Sequence, residues 1–193
     1  GGSLALSVIG IGSNSTIVQS MNGGTVIGGT GGGVNCNRVT FDASGTALSG
    51  TQLNAGNWTI GATGARVQGD GLRFDPPTGD LKFGALNIAN NSGTGLYVDT
   101  KTLGTAFALS NSSGSVDTTA GAALFLDPLT TNLTFGSVSS TNSTTNGATV
   151  DTVTGVLNIN QFTVSGAAGS GLLIQNSSGL TSTIQNLTIT TVG

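Results

Sequence analysis

A short motif returns along most of this chain, and its spacing constrains the fold more than any other feature. The segment GLRFDPPTGDLKF begins at Gly71, and GLYVDTKTLGTAF begins at Gly95. Each places an apolar residue before an Asp and a Phe eight residues after that Asp. Copies of one motif in a constant order indicate a protein built from a repeated unit.

The Asp position of the motif defines the period. It recurs at Asp75, Asp99, Asp127, Asp151 and Gln175. These positions give a period of about 24 residues, and only the interval from Asp99 to Asp127 is longer. A period of this length is typical of solenoid proteins.

Apolar residues recur at fixed places relative to each Asp position. The residues directly before it are Phe74, Val98, Leu126, Val150 and Ile174. A second row, eight residues after it, is predicted at Phe83, Phe107, Phe135, Ile159 and, one residue late, Ile184. A third row is predicted at Leu86, Leu109, Val138, Phe162 and Leu187, and the four extra residues of the long interval are predicted after Leu109. Short alternating segments bounded by Gly, Asn, Asp and Pro indicate three strands in each repeat.

The repeat length and the strands together predict the fold. A single unit buries too little apolar surface to offset the entropy lost on ordering its backbone, so neighbouring units must stack. The predicted fold class is all-β: a right-handed, three-sided parallel β-helix (β-solenoid) with coils of about 24 residues. We predict a single domain, or a fragment of a longer β-helix, over 1–193, with less regular coils at 1–40 and regular repeats at 41–193.

Upstream of Gly71 the register is looser. Phe41 and Asp42 resemble the Phe74–Asp75 pair, but the interval between the two pairs exceeds one period. This difference predicts a coil with about nine extra residues around the segment NWTIGATGA. Ile17 lies one further period before Phe41. These positions predict that the stacking of coils continues upstream.

Composition limits the chemistry open to the chain. Only 7% of residues are charged, His is absent, and the formal net charge is −3. No apolar run is long enough to span a bilayer, so we predict no membrane span in this segment. We expect no catalytic residue, no cofactor, no metal and no nucleic-acid partner.

The motifs resemble one group of known proteins. Over residues 41–193 the patterns GxGLxF-D and LxFxxLxI are similar to those of the right-handed parallel β-helices of bacterial autotransporter passenger domains and related secreted, filamentous-haemagglutinin-like adhesins. The resemblance implies a secreted structural protein located outside the cell or on the cell surface, of bacterial origin. It also implies a partner on a host or neighbouring cell, either glycan or protein, or self-association.

The recurring Asp residues allow three interpretations. Asp75 and Asp127 each precede a Pro, and Asp favours turns by hydrogen bonding to nearby backbone N–H groups, so the row is expected to form a solvated corner. Binding of a cation and catalysis are the alternatives, and whether the row Asp75, Asp99, Asp127 and Asp151 binds a cation stays open. Calcium needs six to eight converging oxygens, more than a single file of carboxylates supplies.

One local group of charges has a catalytic role as its alternative interpretation. It consists of Asp70, Arg73, Asp75, Asp80 and Lys82. Glycan-cleaving enzymes with a parallel β-helix use clustered carboxylates, and a pair of them can serve as acid and base at a suitable separation. In a chain without His we interpret this group as solvated charges, with a carbohydrate-active lyase or hydrolase as the alternative function.

Two outward rows remain as candidate surfaces. In the first arm the residue between the two inward positions is Arg73, Tyr97, Phe125, Thr149 or Leu173, and we predict an interaction stripe at Arg73, Tyr97, Phe125 and Leu173. Cover by a loop near Trp58 or after Leu109 is the competing explanation. In the third arm we predict a polar ladder at Asn87, Asn111, Ser139 and Thr163, with Thr188 one residue late.

Three functions are compatible with these features. The favoured one is a non-enzymatic extracellular structural or adhesive stalk of a bacterial surface or secreted protein. The alternatives are a self-assembling filament or surface-layer subunit, joined through its ends or the stripe, and the carbohydrate-active enzyme.

Overall fold

The computed structural model describes residues 16–18, 24–26, 34–35, 39–41, 53–75, 77–101 and 107–193. For the first four of these segments it describes the backbone alone. No helix occurs in these ranges, and every pairing between named strands is parallel. Accordingly, no helix that could cross a membrane is found in the described part of the chain.

The strands form two sheets. The first sheet contains β1 (Thr16–Val18), β2 (Gly24–Val26), β4 (Val39–Phe41), β5 (Leu53–Ile60), β6 (Val67–Gln68), β8 (Thr78–Asn91), β10 (Phe107–Thr119), β12 (Leu129–Thr141), β14 (Val153–Ser165) and β16 (Leu180–Thr190). The second sheet contains β3 (Val34–Asn35), β7 (Leu72–Phe74), β9 (Leu96–Asp99), β11 (Leu124–Asp127), β13 (Ala148–Asp151) and β15 (Leu172–Gln175). From β7 and β8 onward each coil adds one strand to each sheet, so the predicted β-solenoid with coils of about 24 residues is confirmed.

Each long strand of the first sheet forms two of the three arms. In β12 the buried side chains alternate from Leu129 to Phe135 and then resume, one residue out of phase, at Val138. This change of phase turns the chain at Gly136–Ser137, and the parallel pairing with both neighbouring strands resumes at Ser137. The short strands of the second sheet supply the third arm.

A left-handed residue follows each long strand and starts the next corner. These residues are Ser92, Ala120, Asn142, Gly166 and Thr191, with φ of 64°, 58°, 55°, 71° and 52°. The same corner therefore recurs in every regular coil, although its residue type changes. Because only one of the five is Gly, which adopts positive φ without steric cost, the corner is not apparent as a sequence motif.

Buried apolar rows fill the interior. The row Phe74–Val98–Leu126–Val150–Ile174 pairs in register, as predicted, and its first four members are fully buried. Aromatic rings join neighbouring arms. The ring centroids of Trp58 and Phe83 lie 6.4 Å apart, edge to face, and those of Phe74 and Phe107 lie 5.2 Å apart.

A small residue precedes each strand of the second sheet from β7 onward and allows the coils to approach closely. The row is Gly71, Gly95, Ala123, Gly147 and Gly171. A Cβ added at Gly147 would lie 2.5 Å from the Gly171 carbonyl oxygen and 2.5 Å from Cγ1 of Val164. Close packing at this corner explains the glycine of the Gly-Leu motif.

The register of the second and third arms corrects two predicted rows. Phe107 lies opposite Gly79, whereas the partner of Phe83 is Asn111. Leu109 lies opposite Leu81 in the second arm, so the third-arm row is Ile88–Val116–Val138–Phe162–Leu187. The extra residues of the long interval therefore lie between Asp99 and Phe107 and do not follow Leu109. The prediction was wrong because apolar residues alternate both before and after the extra residues. An alignment shifted by four residues therefore matches the apolar pattern equally well.

The upstream alignment is also corrected. Phe41 lies opposite Gly79 in the first sheet, and the strand that pairs with β7 is Val34–Asn35, which precedes Phe41 in the chain. Ile17 lies opposite Thr40 and not opposite Phe41. The segment NWTI belongs to β5, so the extra residues lie before Leu53 and in the turn after Ile60, where Ala62 and Ala65 exchange backbone hydrogen bonds. Most of the less regular region predicted at 1–40 lies outside the described residues.

Candidate interaction surface

One outward row crosses the second sheet without interruption. Arg73 lies opposite Tyr97, Tyr97 opposite Phe125, Phe125 opposite Thr149, and Thr149 opposite Leu173. All five side chains are partly exposed, whereas the apolar residues beside them on β7, β9, β11 and β13 are buried. The predicted register of this row, hereafter the outer stripe, is thus present in the structure. Neither loop proposed as its cover buries it among the described residues.

The first three side chains of the outer stripe form a stack. The Arg73 guanidinium carbon lies 3.9 Å from the centroid of the Tyr97 ring. The rings of Tyr97 and Phe125 are nearly parallel, at an interplanar angle of 10° and a centroid distance of 4.8 Å. This distance matches the spacing of neighbouring strands, so the rings face each other along the solenoid axis. Both faces of Tyr97 are consequently in contact with a neighbouring side chain.

Carboxylates hold the cation at one end of the stack. Arg73 donates to Asp70 Oδ2 at 2.8 Å and to Asp75 Oδ2 at 2.5 Å. Burial lowers the pKa of the guanidinium, but the hydrogen bonds to Asp70 and Asp75 outweigh that effect and raise it. Burial, with a smaller effect from Asp99, raises the pKa of Tyr97, whose hydroxyl donates to Asp99 Oδ2 at 3.2 Å. The stack is therefore held in one orientation by side chains on neighbouring positions of the same sheet.

The row of Asp residues lies at the corner where the second-sheet strands end. Asp99, Asp127 and Asp151 are the last residues of β9, β11 and β13. Asp99 Oδ1 accepts a hydrogen bond from the backbone N–H of Lys101 at 2.9 Å, the side-chain turn expected of a corner. The Lys101 ammonium contacts the Asp127 carboxylate and lies 3.7 Å from Asp151 Oδ2. The row thus forms a corner, and Lys101 bridges two of its members.

Burial and hydrogen bonding act differently on the last two carboxylates of this row. Asp127 is only 3% exposed, and its Oδ1 has no hydrogen-bond partner among the residues that the structure describes. Burial raises the pKa of Asp127, although Lys101 opposes the shift. Hydrogen bonds from Gln175 and Asn176 lower the pKa of Asp151 to about 2. The two carboxylates therefore respond in opposite directions to acid.

This difference predicts how acid affects stability. The pKa of Asp151 is lower in the folded chain, so its contribution is present above pH 3.8 and is lost as the pH falls towards about 2. The pKa of Asp127 is raised, so its contribution is present at low pH and is lost as the pH rises. We expect Asp151→Asn to lose less stability than the wild type between pH 4 and 2, and Asp127→Asn to lose more. Urea unfolding at several pH values between 4 and 2 measures how the free energy of unfolding changes with pH. The same change in the wild type and both variants would contradict the pKa shifts given for Asp127 and Asp151.

The net charge of the described residues is concentrated along this edge. Five carboxylates lie on or beside the second sheet (Asp70, Asp75, Asp99, Asp127 and Asp151) against two cations, Arg73 and Lys101, which leaves −3. The other charged residues that the structure describes, Asp80 and Asp117 with Arg66 and Lys82, cancel. This edge is therefore the acidic side of the described part of the chain.

The predicted polar ladder divides into separate rows. Asn87 lies opposite Ser115, whose hydroxyl donates to Asn87 Oδ1 at 3.1 Å. Ser139 lies opposite Asp117 and Thr163, and Thr163 opposite Thr188. The Ser139 hydroxyl donates to Asp117 Oδ1 at 2.8 Å.

Asn111 does not belong to either outward row. It lies opposite Phe83 and is 6% exposed, because the four-residue shift places it on an inward position of the second arm. Its Oδ1 accepts from the Thr134 backbone N–H at 2.7 Å, and its Nδ2 donates to the Ser113 carbonyl at 2.9 Å. Asn111 is therefore a structural residue between coils.

The charged group considered for catalysis is only partly assembled. Asp70, Arg73 and Asp75 form ion pairs, whereas Asp80 and Lys82 lie on β8 of the other sheet. Within the described ranges, no three acidic, His or Cys side chains are placed to hold a metal ion. A shallow pocket of about 230 Å³ is lined by Thr100, Phe107, Pro128, Leu129, Thr130, Thr152 and Thr154. These lining residues include no acid or base.

Sequence reasoning missed a buried polar row beside the third-arm core. Asn90 lies opposite Thr118, and both are fully buried. Asn90 Nδ2 donates to the carbonyls of Gly69 and Ser92, and its Oδ1 accepts from Thr118 at 2.7 Å. Strand alternation was the signal that could have revealed it. Asn90 stands two residues after Ile88 and therefore lies on the same inward face.

Comparison of the chain with protein-family models, with curated proteins and with solved structures found no match. The fold itself defines the class, an all-β parallel β-solenoid of about five turns. Its distinctive surface is the outer stripe with the acidic corner beside it.

Proposed function

We propose that this chain is a non-enzymatic structural and adhesive segment of an extracellular or cell-surface protein, of bacterial origin. The observation that carries the proposal is the outer stripe, which presents stacked aromatic rings on an exposed sheet face. Exposed aromatic side chains on a rigid support are typical of interaction surfaces. The support here is a continuous parallel ladder, from β8 to β16 in the first sheet and β7 to β15 in the second.

The state of the charged groups supports a binding function over catalysis. Arg73 is paired with two carboxylates, and Lys101 with Asp127. Asp151 accepts hydrogen bonds from three neighbouring side chains. A general acid or base needs a perturbed pKa and also access to substrate. The charged groups here instead contact one another and neighbouring side chains, and these contacts hold the corner and the stack in place.

An adhesion experiment tests the proposal. Beads coated with the protein are washed under flow over surfaces that carry immobilised glycans, extracellular-matrix proteins or a second copy of this chain. We expect retention on one of these surfaces, lost in Phe125→Asp because the substitution removes the stacked ring and adds a charge to an acidic edge. The matched control is Thr163→Asp, which adds the same charge at a partly exposed position of the first sheet. Beads coated with this variant are expected to be retained like those coated with the wild type.

The pattern of retention separates the outcomes. Retention on no surface, or equal loss in both variants, would overturn the proposal. Retention only on the second copy, with a concentration-dependent rise in mass that Phe125→Asp abolishes, would favour a self-assembling subunit joined through the outer stripe.

A further inference from the structure

The outer stripe contains a slot where one large side chain is missing. Phe125 contacts Tyr97 through one face of its ring, and its other face points towards the coil that contributes Thr149. Thr149 is the smallest member of the outer stripe, and the next member, Leu173, is one strand farther. Two strand spacings separate Phe125 from Leu173, about 9.6 Å. One flat group at about 3.5–4 Å from the Phe125 ring fits within this width.

The chain itself shows which group suits such a position. At the other end of the stack the guanidinium of Arg73 covers the aromatic ring, with Asp70 three residues before it and Asp75 two residues after it. Thr149 has Asn146 three residues before it and Asp151 two residues after it. Asn146 already contacts this position, since its Nδ2 donates to Thr149 Oγ1 at 3.0 Å. The slot thus repeats the surroundings of Arg73 but lacks the arginine.

Charge favours a cation over a neutral group in this slot. The acidic edge carries a net charge of −3 among the residues that the structure describes. The low pKa of Asp151, about 2, keeps it ionised at neutral pH. An arginine combines the flat shape that stacks on Phe125 with donors for carboxylate oxygens, whereas lysine offers a compact ammonium that does not stack as a plane.

We propose that the slot above Thr149, between Phe125 and Leu173, binds an arginine side chain of a cationic protein partner. The inference rests on the proposed adhesive function and specifies the chemistry of its partner. The guanidinium stacks on the face of Phe125 turned away from Tyr97 and lies beside the ionised Asp151, as Arg73 stacks on Tyr97 beside Asp75.

Peptide binding tests the proposal directly. The probe is a Gly-Arg-Gly-Arg-Gly peptide with both termini blocked so that they carry no charge. It is compared with the same peptide carrying lysine in place of arginine and with a neutral oligosaccharide. Each titration is followed by the NMR chemical shifts of residues 125, 149 and 151. We expect the arginine peptide to bind more tightly than the lysine peptide and to weaken as salt rises. Phe125→Ala is expected to weaken its binding about 2- to 5-fold, the size of an exposed cation–π contact.

A variant that fills the slot provides the sharpest test. Thr149→Arg places the guanidinium in the slot from within the chain, and we expect it to abolish peptide binding and to raise the melting temperature. Thr163→Arg adds the same charge on the other sheet and is expected to bind the peptide with little change. Should Thr149→Arg fail to fold, Phe125→Ala and Asp151→Asn still report on the slot through peptide affinity.

The results distinguish this inference from the proposed function. Equal affinity for the arginine and lysine peptides, or peptide binding unaffected by Thr149→Arg, would overturn the arginine slot. Binding of the oligosaccharide alone, with dependence on Phe125, would replace it with a glycan site. If the peptide does not bind while Phe125-dependent adhesion of beads persists, the arginine slot is wrong and the adhesive function stands.

Discussion

Replacing Phe135 by Ala is expected to lower the free energy of unfolding by about 3–5 kcal/mol. Phe135 is 1% exposed and lies opposite Ile159 in the core of the second arm. Removal of its ring leaves a cavity that the backbone cannot close, because hydrogen bonds to neighbouring coils fix the distance between strands. The loss should therefore be near that of a fully buried Phe in a close-packed core.

Phe125→Ala is the matched control for this prediction. It deletes the same ring from the outer stripe, where the loss is the stacking on Tyr97 and some partial burial, on the order of 1 kcal/mol. Urea unfolding followed by circular dichroism measures both variants. Equal losses would show that Phe135 does not occupy the core as described, and a changed slope with urea concentration would reveal coils that unfold separately.

Replacing Asn90 by Ala is expected to cost about 1–3 kcal/mol, because it removes the partner of one buried hydroxyl and of two carbonyls in partly buried hydrogen bonds. The groups are the carbonyls of Gly69 and Ser92 and the hydroxyl of Thr118. These contacts join successive coils at one corner, so the loss also loosens the stacking between coils.

The neighbouring residue supplies the control. Asn91 is partly exposed. Among the residues that the structure describes, its side-chain amide donates only to the side chain of Gln68. Asn91→Ala is expected to change the free energy of unfolding by no more than about 0.5 kcal/mol. Hydrogen exchange of the backbone amides near Gly69 and Ser92 should increase in Asn90→Ala alone. Similar exchange in both variants would contradict the role assigned to Asn90.

The first arm could be predicted from sequence because its pattern admits one register. A small residue, a Leu, an outward residue, an apolar residue and an Asp stand in a fixed order, and a shift by one would bury Asp75 and expose Phe74. The outer stripe followed from the same order, since alternation alone places Tyr97 and Phe125 outward.

The second and third arms could not be predicted in the same way. Leu81, Phe83 and the pair Phe107 and Leu109 all alternate, so hydrophobicity allows several registers. The choice depends on the length of the corner between the second and first sheets, which carries no sequence signature. The stacking of Arg73 on Tyr97 and the open face of Phe125 depend on side-chain positions in neighbouring coils, so they required the structure.

That corner has a consequence of its own. The connection from the second sheet to the first has one residue between Asp127 and Leu129 but seven between Asp99 and Phe107. The strands on both sides nevertheless keep their pairing. The entropy of closing a loop rises slowly with its length, so added residues there place little strain on the ladder. We therefore expect that foreign peptides inserted between Asp99 and Phe107 leave the parallel ladder intact, so that the chain can serve as a scaffold for their display.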